Sequence, residues 1–328
     1  MIKFIINLSL SMKNFWQKLN KPFFILAPMA DVTDAAFRSI ITKYGKPDVT
    51  YTEFTSADGL MSPGREILLN NLKYSKNERP IVAQLFSANP EKMEKACALV
   101  EGLGFNGIDI NMGCPDKSIE KQGAGAAMIK NSKLALEIIN AARIGAPNIP
   151  ISVKTRLGFN KVEMDWVEGL LKEKLPALTI HLRTRKEMSK VPAHWELMSE
   201  IVKLRDKVSP DTLIIGNGDV KNLDEANRLI KEAGCDGVML GRAIFGNPFL
   251  FSKKKNKNID HLTRLKVLIE HTKLFAKYFT DVKSFAVMKK HFKSYVGEFE
   301  GAKDLRVKLM EAKDYKEVEK IIKDFIKK

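Results

Sequence analysis

Between residues 24 and 245 the chain alternates short β-rich apolar runs with longer stretches whose apolar residues recur at helical spacing. The runs are Phe24–Ala27, Val49–Thr52, Ile81–Phe86, Gly107–Asn111, Ile151–Thr155, Ala177–His181, Leu213–Gly216 and Gly237–Leu240. Segments between them, such as Pro90–Gly102, Lys133–Ile144 and Asp224–Ala233, put apolar side chains on one helical face. Eight strands alternating with helices over about 220 residues predict an α/β fold, a parallel sheet closed into a (β/α)8 TIM barrel. An open doubly wound sheet would bring a glycine-rich phosphate loop after its first strand, and Ala27-Pro28-Met29-Ala30 stands there instead.

Beyond Ala243-Ile244-Phe245-Gly246-Asn247-Pro248 the strand pattern stops. Residues 259–328 read as helices only, with a break at Gly297–Gly301, and the Lys-rich stretch Lys253–Asn258 reads as a linker. Two domains are expected: a barrel over 1–250 and a small all-helical domain over 251–328.

Composition narrows the class. With 45% hydrophobic and 29% charged residues over 328 positions, the chain has the material for a buried core. Three cysteines cannot make a disulfide scaffold, and no apolar run reaches the ~20 residues that span a bilayer. A cytoplasmic protein is expected, without a membrane role. The opening MIKFIINLSLSM imitates a weak signal peptide but lacks a small-residue cleavage site, and a start at Met12 would look more natural.

Charge changes the picture more. The net charge is +16, and residues 251–328 hold 21 basic against 11 acidic side chains. Lys253–Lys293 alone carries 12 basic and 3 acidic residues, interleaved with Phe275, Tyr278, Phe279, Phe285, Phe292 and Tyr295. Such a patch attracts polyanions, nucleic acid above all. The competing reading is a solvated helical face whose aromatics are simply core.

The strand ends carry the chemistry. They are marked by Pro28-Met29, Glu53, Gln84, Asn111 with Cys114, Lys154 with Arg156, His181 with Arg183 and Arg185, Asn217-Gly218-Asp219, and Gly241-Arg242. In a barrel these converge on the C-terminal mouth, where sites of this fold lie. The last two loops suit a phosphate: glycines admit backbone N–H groups to its oxygens, and Arg242 adds a charge-assisted clamp. A cation at Lys154 could stabilise a reduced cofactor or enolate, unless it is paired structurally with Glu53. Gln84 offers a donor and an acceptor for a pyrimidine or flavin edge. Cys114, on a loop set by Gly113 and Pro115, is placed to donate a proton or attack. Cys97 and Cys235 read as structural, and no spacing suggests a metal.

These residues together resemble the bacterial tRNA-dihydrouridine synthases from about residue 22 to the end. The matching stretches are Leu26–Asp34, Val82–Leu85, Asn111–Pro115, Val153–Arg156, His181–Arg185, Asn217–Val220 and Met239–Ala243. In the tail, Met288–Phe292 and Gly301-Ala302 through Leu305-Arg306 look like the family's RNA-binding segment. The resemblance implies FMN-dependent reduction of particular tRNA uridines to dihydrouridine by a monomer using NADPH. FMN would be held by Pro28, Met29, Ala30, Gln84, Lys154, His181, Asn217, Gly218, Asp219, Gly241 and Arg242. Cys114 would protonate C5 as flavin hydride reaches C6, while Asn111, Arg156, Arg183 and Arg185 would face the flipped base and its phosphates. Three features depart from the pattern: Leu182 and Asp31 stand where Gly is common, and Val191–Trp195 replaces a Gly-rich segment. A dihydroorotate-dehydrogenase-like flavoprotein would leave the basic tail without purpose. A flavin- or RNA-binding module without turnover would leave Cys114 beside Lys154 and His181 unexplained.

Overall fold

The computed structural model describes residues 14–252, 259–297 and 299–327. The linker expected at Lys253–Asn258 and the alternative start at Met12 lie outside the described residues.

The strands are β1 Phe23–Leu26, β2 Val49–Tyr51, β3 Thr55–Ser56, β4 Ile81–Phe86, β5 Gly107–Met112, β6 Ile151–Arg156, β7 Ala177–His181, β8 Leu213–Asn217 and β9 Gly237–Leu240. All pair in parallel. β1 lies between β2 and β9, β2 pairs with β4, and each later strand pairs with the next, so eight strands close a ring. The two-residue β3 extends the rim beside Leu85 and Phe86 of β4. The barrel is the one expected, and each apolar run carries a strand whose ends moved by no more than one residue.

Helices α1 Ala35–Gly45, α2 Ala57–Leu60, α3 Arg65–Leu68, α4 Pro90–Gly102, α5 Lys117–Lys121, α6 Ser132–Gly145, α7 Met164–Lys172, α8 Met198–Val208 and α9 Leu223–Ala233 occupy the connections. Many start at a side-chain cap: Asp34, Asn89, Asn131 and Asn222 each accept from a backbone N–H in the first turn that would otherwise lack a partner. Apolar faces of α4, α6, α7 and α8 pack on the outer faces of the strands in one large core.

Inside the barrel, alternation along each strand sets a gradient. A one-turn helix at Phe15–Lys18 plugs the base, where Trp16 packs with Phe23, Ile25, Val49, Val82, Ala177 and Leu213. Two or four positions further along the same strands the inward residues turn polar: Gln84 follows Val82, His181 follows Ala177, and Asn217 follows Ile215. An apolar base and a polar mouth therefore come from one period-two pattern.

The C-terminal lobe comprises α10 His261–Phe279, α11 Lys289–Tyr295, α12 Ala302–Glu311 and α13 Tyr315–Ile326. Its core includes Phe275, Phe279, Phe292 and Tyr295, with Tyr278 and Phe285 partly buried against it. The aromatics interleaved with the lysines are thus core, as the competing reading had it. The same cluster takes in Ala35, Ala36 and Ile40 of α1, which seats the lobe on the barrel. Polar ties add to it: Glu270 accepts from Lys43 and Tyr44 at 2.6 Å each, and Lys283 Nζ lies 3.1 Å from buried Glu53. No helix among the described residues is long and apolar enough to cross a membrane.

Candidate active site

A cavity of about 720 Å³ opens at the C-terminal mouth of the barrel. Of the residues singled out from sequence, Pro28, Met29, Lys154, Arg156, His181, Asn217, Gly218, Asp219, Gly241 and Arg242 line it. Pro115, Met188, Ser189 and Lys221 join them. Ala30 follows Met29 on the exposed rim, and Cys114 precedes the lining Pro115. Gln84 and Asn111 are buried and lie outside the lining, as do Arg183 and Arg185.

Lys154, from β6, makes no hydrogen bond or ion pair among the described residues. The structural partner considered for it, Glu53, instead accepts from the Asp31 backbone N–H and from Lys283. Burial, together with the neighbouring Arg156 charge, pushes the Lys154 ammonium down to about 8, with Asp109 opposing. Arg156, two residues on, also has no carboxylate partner among the described residues. Its Nε donates to the Gly113 carbonyl at 2.7 Å, and its Nη1 donates to those of Thr184 and Met188 at 3.2 Å each. These carbonyls hold a nearly buried guanidinium whose pKa burial lowers to about 10.

Beneath the cations runs a polar row fixed by strand register. Asp109 accepts from Gln84 Nε2 and Ser152 Oγ, both at 2.7 Å, and Gln84 Oε1 accepts from Asn111 Nδ2 at 3.2 Å. Full burial raises the Asp109 carboxyl to about 6. Asn111 Oδ1 also accepts from the backbone N–H groups of Gly113 and Cys114, at 3.1 and 2.9 Å. That shapes the cysteine loop. Gly125 completes it: at φ 61° it lets its backbone approach so closely that an added Cβ would sit 2.8 Å from the Cys114 carbonyl. Burial raises the Cys114 thiol above its ordinary pKa, so sulfur keeps its proton at neutral pH. Cys97 and Cys235 are free and buried in the core, the latter pushed up to about 12.

Opposite, the loops after β7, β8 and β9 interlock. His181 is held below its ordinary pKa by burial and by the cations Lys154, Arg156, Arg183 and Arg242. Arg183 bridges His181 and Asp219, and Asp219 accepts from Arg242 Nη2 at 2.9 Å. Arg185 forks onto Glu120 of α5 and lies over the Phe159 ring. Gly218 takes φ 137°, and a Cβ there would strike Ala193 at 2.7 Å.

The three departures from the family pattern find physical accounts. Asp31 adopts φ 54°, the left-handed region that favours glycine, and its N–H is held by Glu53. Leu182 is fully buried in the main core. In Val191–Trp195, Trp195 Nε1 donates to the Gly218 carbonyl at 2.8 Å, and His194 sits 3.0 and 2.9 Å from Glu187 and Glu196.

Sequence reasoning missed Asp109, although it stands two residues before Asn111 on one strand and so faces the same interior. It also missed Met188, Ser189 and Lys221, loop residues with no periodic signal. Among the described residues no three His, Cys, Asp or Glu side chains are arranged to hold a metal ion.

A probable tRNA-dihydrouridine synthase 2 of Bacillus subtilis (strain 168) is 42% identical over 321 residues, covering 96% of this chain and 98% of its own. A probable tRNA-dihydrouridine synthase of Staphylococcus aureus (strain COL) is 41% identical over 319 residues, covering 95% and 96%. Among solved structures, histamine dehydrogenase from Rhizobium sp. 4-9 shares the fold at 13% identity, with a TM-score of 0.51 over 76% of this chain. A 2-naphthoyl-CoA reductase complex does so at 11% identity and 0.51 over 70%. This chain spans about half the length of those two structures, 48% and 49%. The dihydrouridine synthase family pattern matches residues 25–328. With matches over nearly all of its length, the chain belongs to the dihydrouridine synthase (Dus) family.

Proposed function

We propose that this protein reduces specific uridines of tRNA to 5,6-dihydrouridine, with FMN as its cofactor, NADPH as reductant and Cys114 as general acid. The observation that carries the reading is a pair of enclosed cations without carboxylate partners, Lys154 and Arg156, facing one cavity beside a protonated thiol. Burying such charges is costly unless an anion answers them.

The cavity suits the cofactor. Its volume falls in the range of about 300–1,000 Å³ common to cofactor sites. Ala27, Met29 and Met239 give it apolar wall for a flat ring system, and Gly218, Gly241 and Arg242 offer backbone and charge for a phosphate. Pro28 continues that wall, and Ala30 follows Met29 onto the exposed rim. Lys154 places positive charge where a reduced ring system gathers negative charge. Gln84 orients Asn111 from below, and Asn217 and His181 close the side.

When bound, reduced FMN supplies the hydride that reaches C6 of the uracil. The protein's own part is the proton. Cys114 holds it on sulfur at neutral pH, and the Asn111 cap and the Gly125 approach fix the loop so that it is delivered to C5. Arg156 faces the base, with Arg185 at the outer rim, while Asn111, buried beneath and expected from sequence to face the base, shapes the cysteine loop instead. A base is reduced only outside its stack, so the RNA must be held while a nucleotide is extruded. The lobe, with 21 basic and 11 acidic residues across 251–328, is assigned that task. The division at residue 250 into catalytic barrel and RNA-holding lobe is part of this reading, as is action by a cytoplasmic monomer.

The test is nucleoside mass spectrometry on tRNA lacking dihydrouridine, incubated with the protein, FMN and NADPH. A gain of two hydrogens at uridine is expected, lost by at least a hundredfold in Cys114→Ala while FMN stays bound, within the range of general-acid contributions of about 10²–10⁴. Undiminished turnover in that variant removes Cys114 from the role. Bound flavin with NADPH oxidation but no change in the RNA points to a small free pyrimidine as substrate.

A further inference from the structure

Arg183 is only 2% exposed and lies behind the cavity rather than on its wall. Each part of its guanidinium has an occupation. Nε donates to the Val191 carbonyl at 2.6 Å, Nη1 lies 3.2 Å from His181 Nε2, and Nη2 donates to the Asp219 carboxylate. A guanidinium has donors only, so His181 Nε2 must be the acceptor in that pair. An uncharged imidazole with a bare Nε2 carries its proton on Nδ1. His181 lines the cavity, and its Nδ1 meets no protein group among the described residues.

The second arm runs through Asp219. Its Oδ2 accepts from Arg183 and from the Ala193 N–H at 3.0 Å, while Oδ1 accepts from Arg242 Nη2. Asp219 adopts φ 56° directly after Gly218 at φ 137°, a backbone that needs holding in place. The Arg242 side chain is 66% exposed, and Asp219 is the one carboxylate it meets among the described residues. A long exposed side chain loses much rotamer entropy when aimed, and a fixed acid reduces that loss on binding.

We propose that Arg183 is a positioning residue of this site: one nitrogen fixes His181 as the Nδ1-protonated tautomer facing the cavity, and another anchors Asp219, which aims Arg242 at a phosphate. This departs from the expectation that Arg183 faces the flipped base. The phosphate arm rests on the flavin reading, and the histidine arm does not.

The histidine arm is tested on the full-length protein, free of flavin and labelled with ¹⁵N-histidine. The chain has five histidines, and His181→Gln identifies the signal. Expected is a bare Nε2 and a protonated Nδ1 at pH 7. An Nε2-protonated tautomer or an imidazolium at that pH overturns this arm whatever becomes of flavin binding. The phosphate arm is tested by FMN titration of Arg183→Met, Arg242→Ala and the double variant. Each single change is expected to weaken binding about tenfold, and the double by clearly less than the product. Losses that multiply in full overturn the relay, whereas a wild-type protein that fails to bind FMN overturns the flavin reading instead. Arg183→Lys, which keeps the charge but not the fork, is expected not to restore affinity, and full rescue overturns the geometric argument. If Arg183→Met does not fold, Asp219→Asn replaces it in the cycle, and the wild-type tautomer still decides the first arm.

Discussion

Lys154 and Arg156 lie enclosed at the barrel mouth without a carboxylate partner among the described residues, whereas Lys266, Lys277 and Lys293 of the lobe stand in solvent above a buried aromatic core. Both regions are cationic, and they carry the charge in opposite ways. The mouth places few charges in a low-dielectric recess, where each acts strongly on one small ligand. The lobe spreads many over its surface, where each is screened and only the sum matters. Their histidines differ likewise. His181 is engaged by Arg183 at one ring nitrogen, while His291 is buried against Phe37 and His271 with neither ring nitrogen partnered. The first is part of a site; the second is packing.

Three experiments break or sharpen this contrast. The largest effect is expected from Phe292→Ala, which empties the centre of the lobe core and costs about 3–5 kcal/mol of stability. Chemical denaturation followed separately by flavin absorbance for the barrel and by amide hydrogen exchange for the lobe checks it, since all three tryptophans lie in the barrel. Since α1 contributes to the same core, a flavin transition that shifts with the lobe would make the two regions one cooperative unit.

Next is Lys154→Met, expected to weaken FMN binding by about ten- to a hundredfold, roughly 1.4–2.8 kcal/mol. The charged amine attracts the anionic ligand and loses its proton as pH rises through about 8. Wild-type affinity should therefore be full near pH 7 and fall as pH rises through about 8, and the variant should show no such step. A step of equal size in both proteins would assign it to another group.

The smallest effect is reserved for the lobe. Lys290 Nζ lies 3.8 Å from Asp31 at the barrel rim, and Lys293 follows one turn later on α11. Replacing both by Gln is expected to weaken tRNA binding a few-fold and to flatten its salt dependence by about one to two in log–log slope. Flavin affinity should not move. An unchanged slope would place the RNA elsewhere.

Much of this was legible in the chain, and unevenly so. The eight strands could be read to within a residue because each apolar run is short and bounded by turn or helix signals. The polar strand ends were legible for the same reason: a parallel barrel brings every C-terminal end to one face. The interleaved aromatics of the tail could not be assigned, since lysines beside phenylalanines look alike whether the rings stack on bases or fill a helical core. Glu53 was considered for Lys154 and is held by Lys283 instead, from 230 residues further along the chain.

The sequence by itself determined the barrel, the helical tail, the family and many of the residues that line the mouth, because periodicity and motif order are local properties. Only the tertiary structure decided the pairings: which cations stand free, that Arg183 turns inward to His181 and Asp219 while Arg185 turns to Glu120, and that α1 belongs to two cores at once. Hydrogen-bond partners and burial depend on distances between segments far apart in the chain. Those distances exist only once the ring of strands has closed.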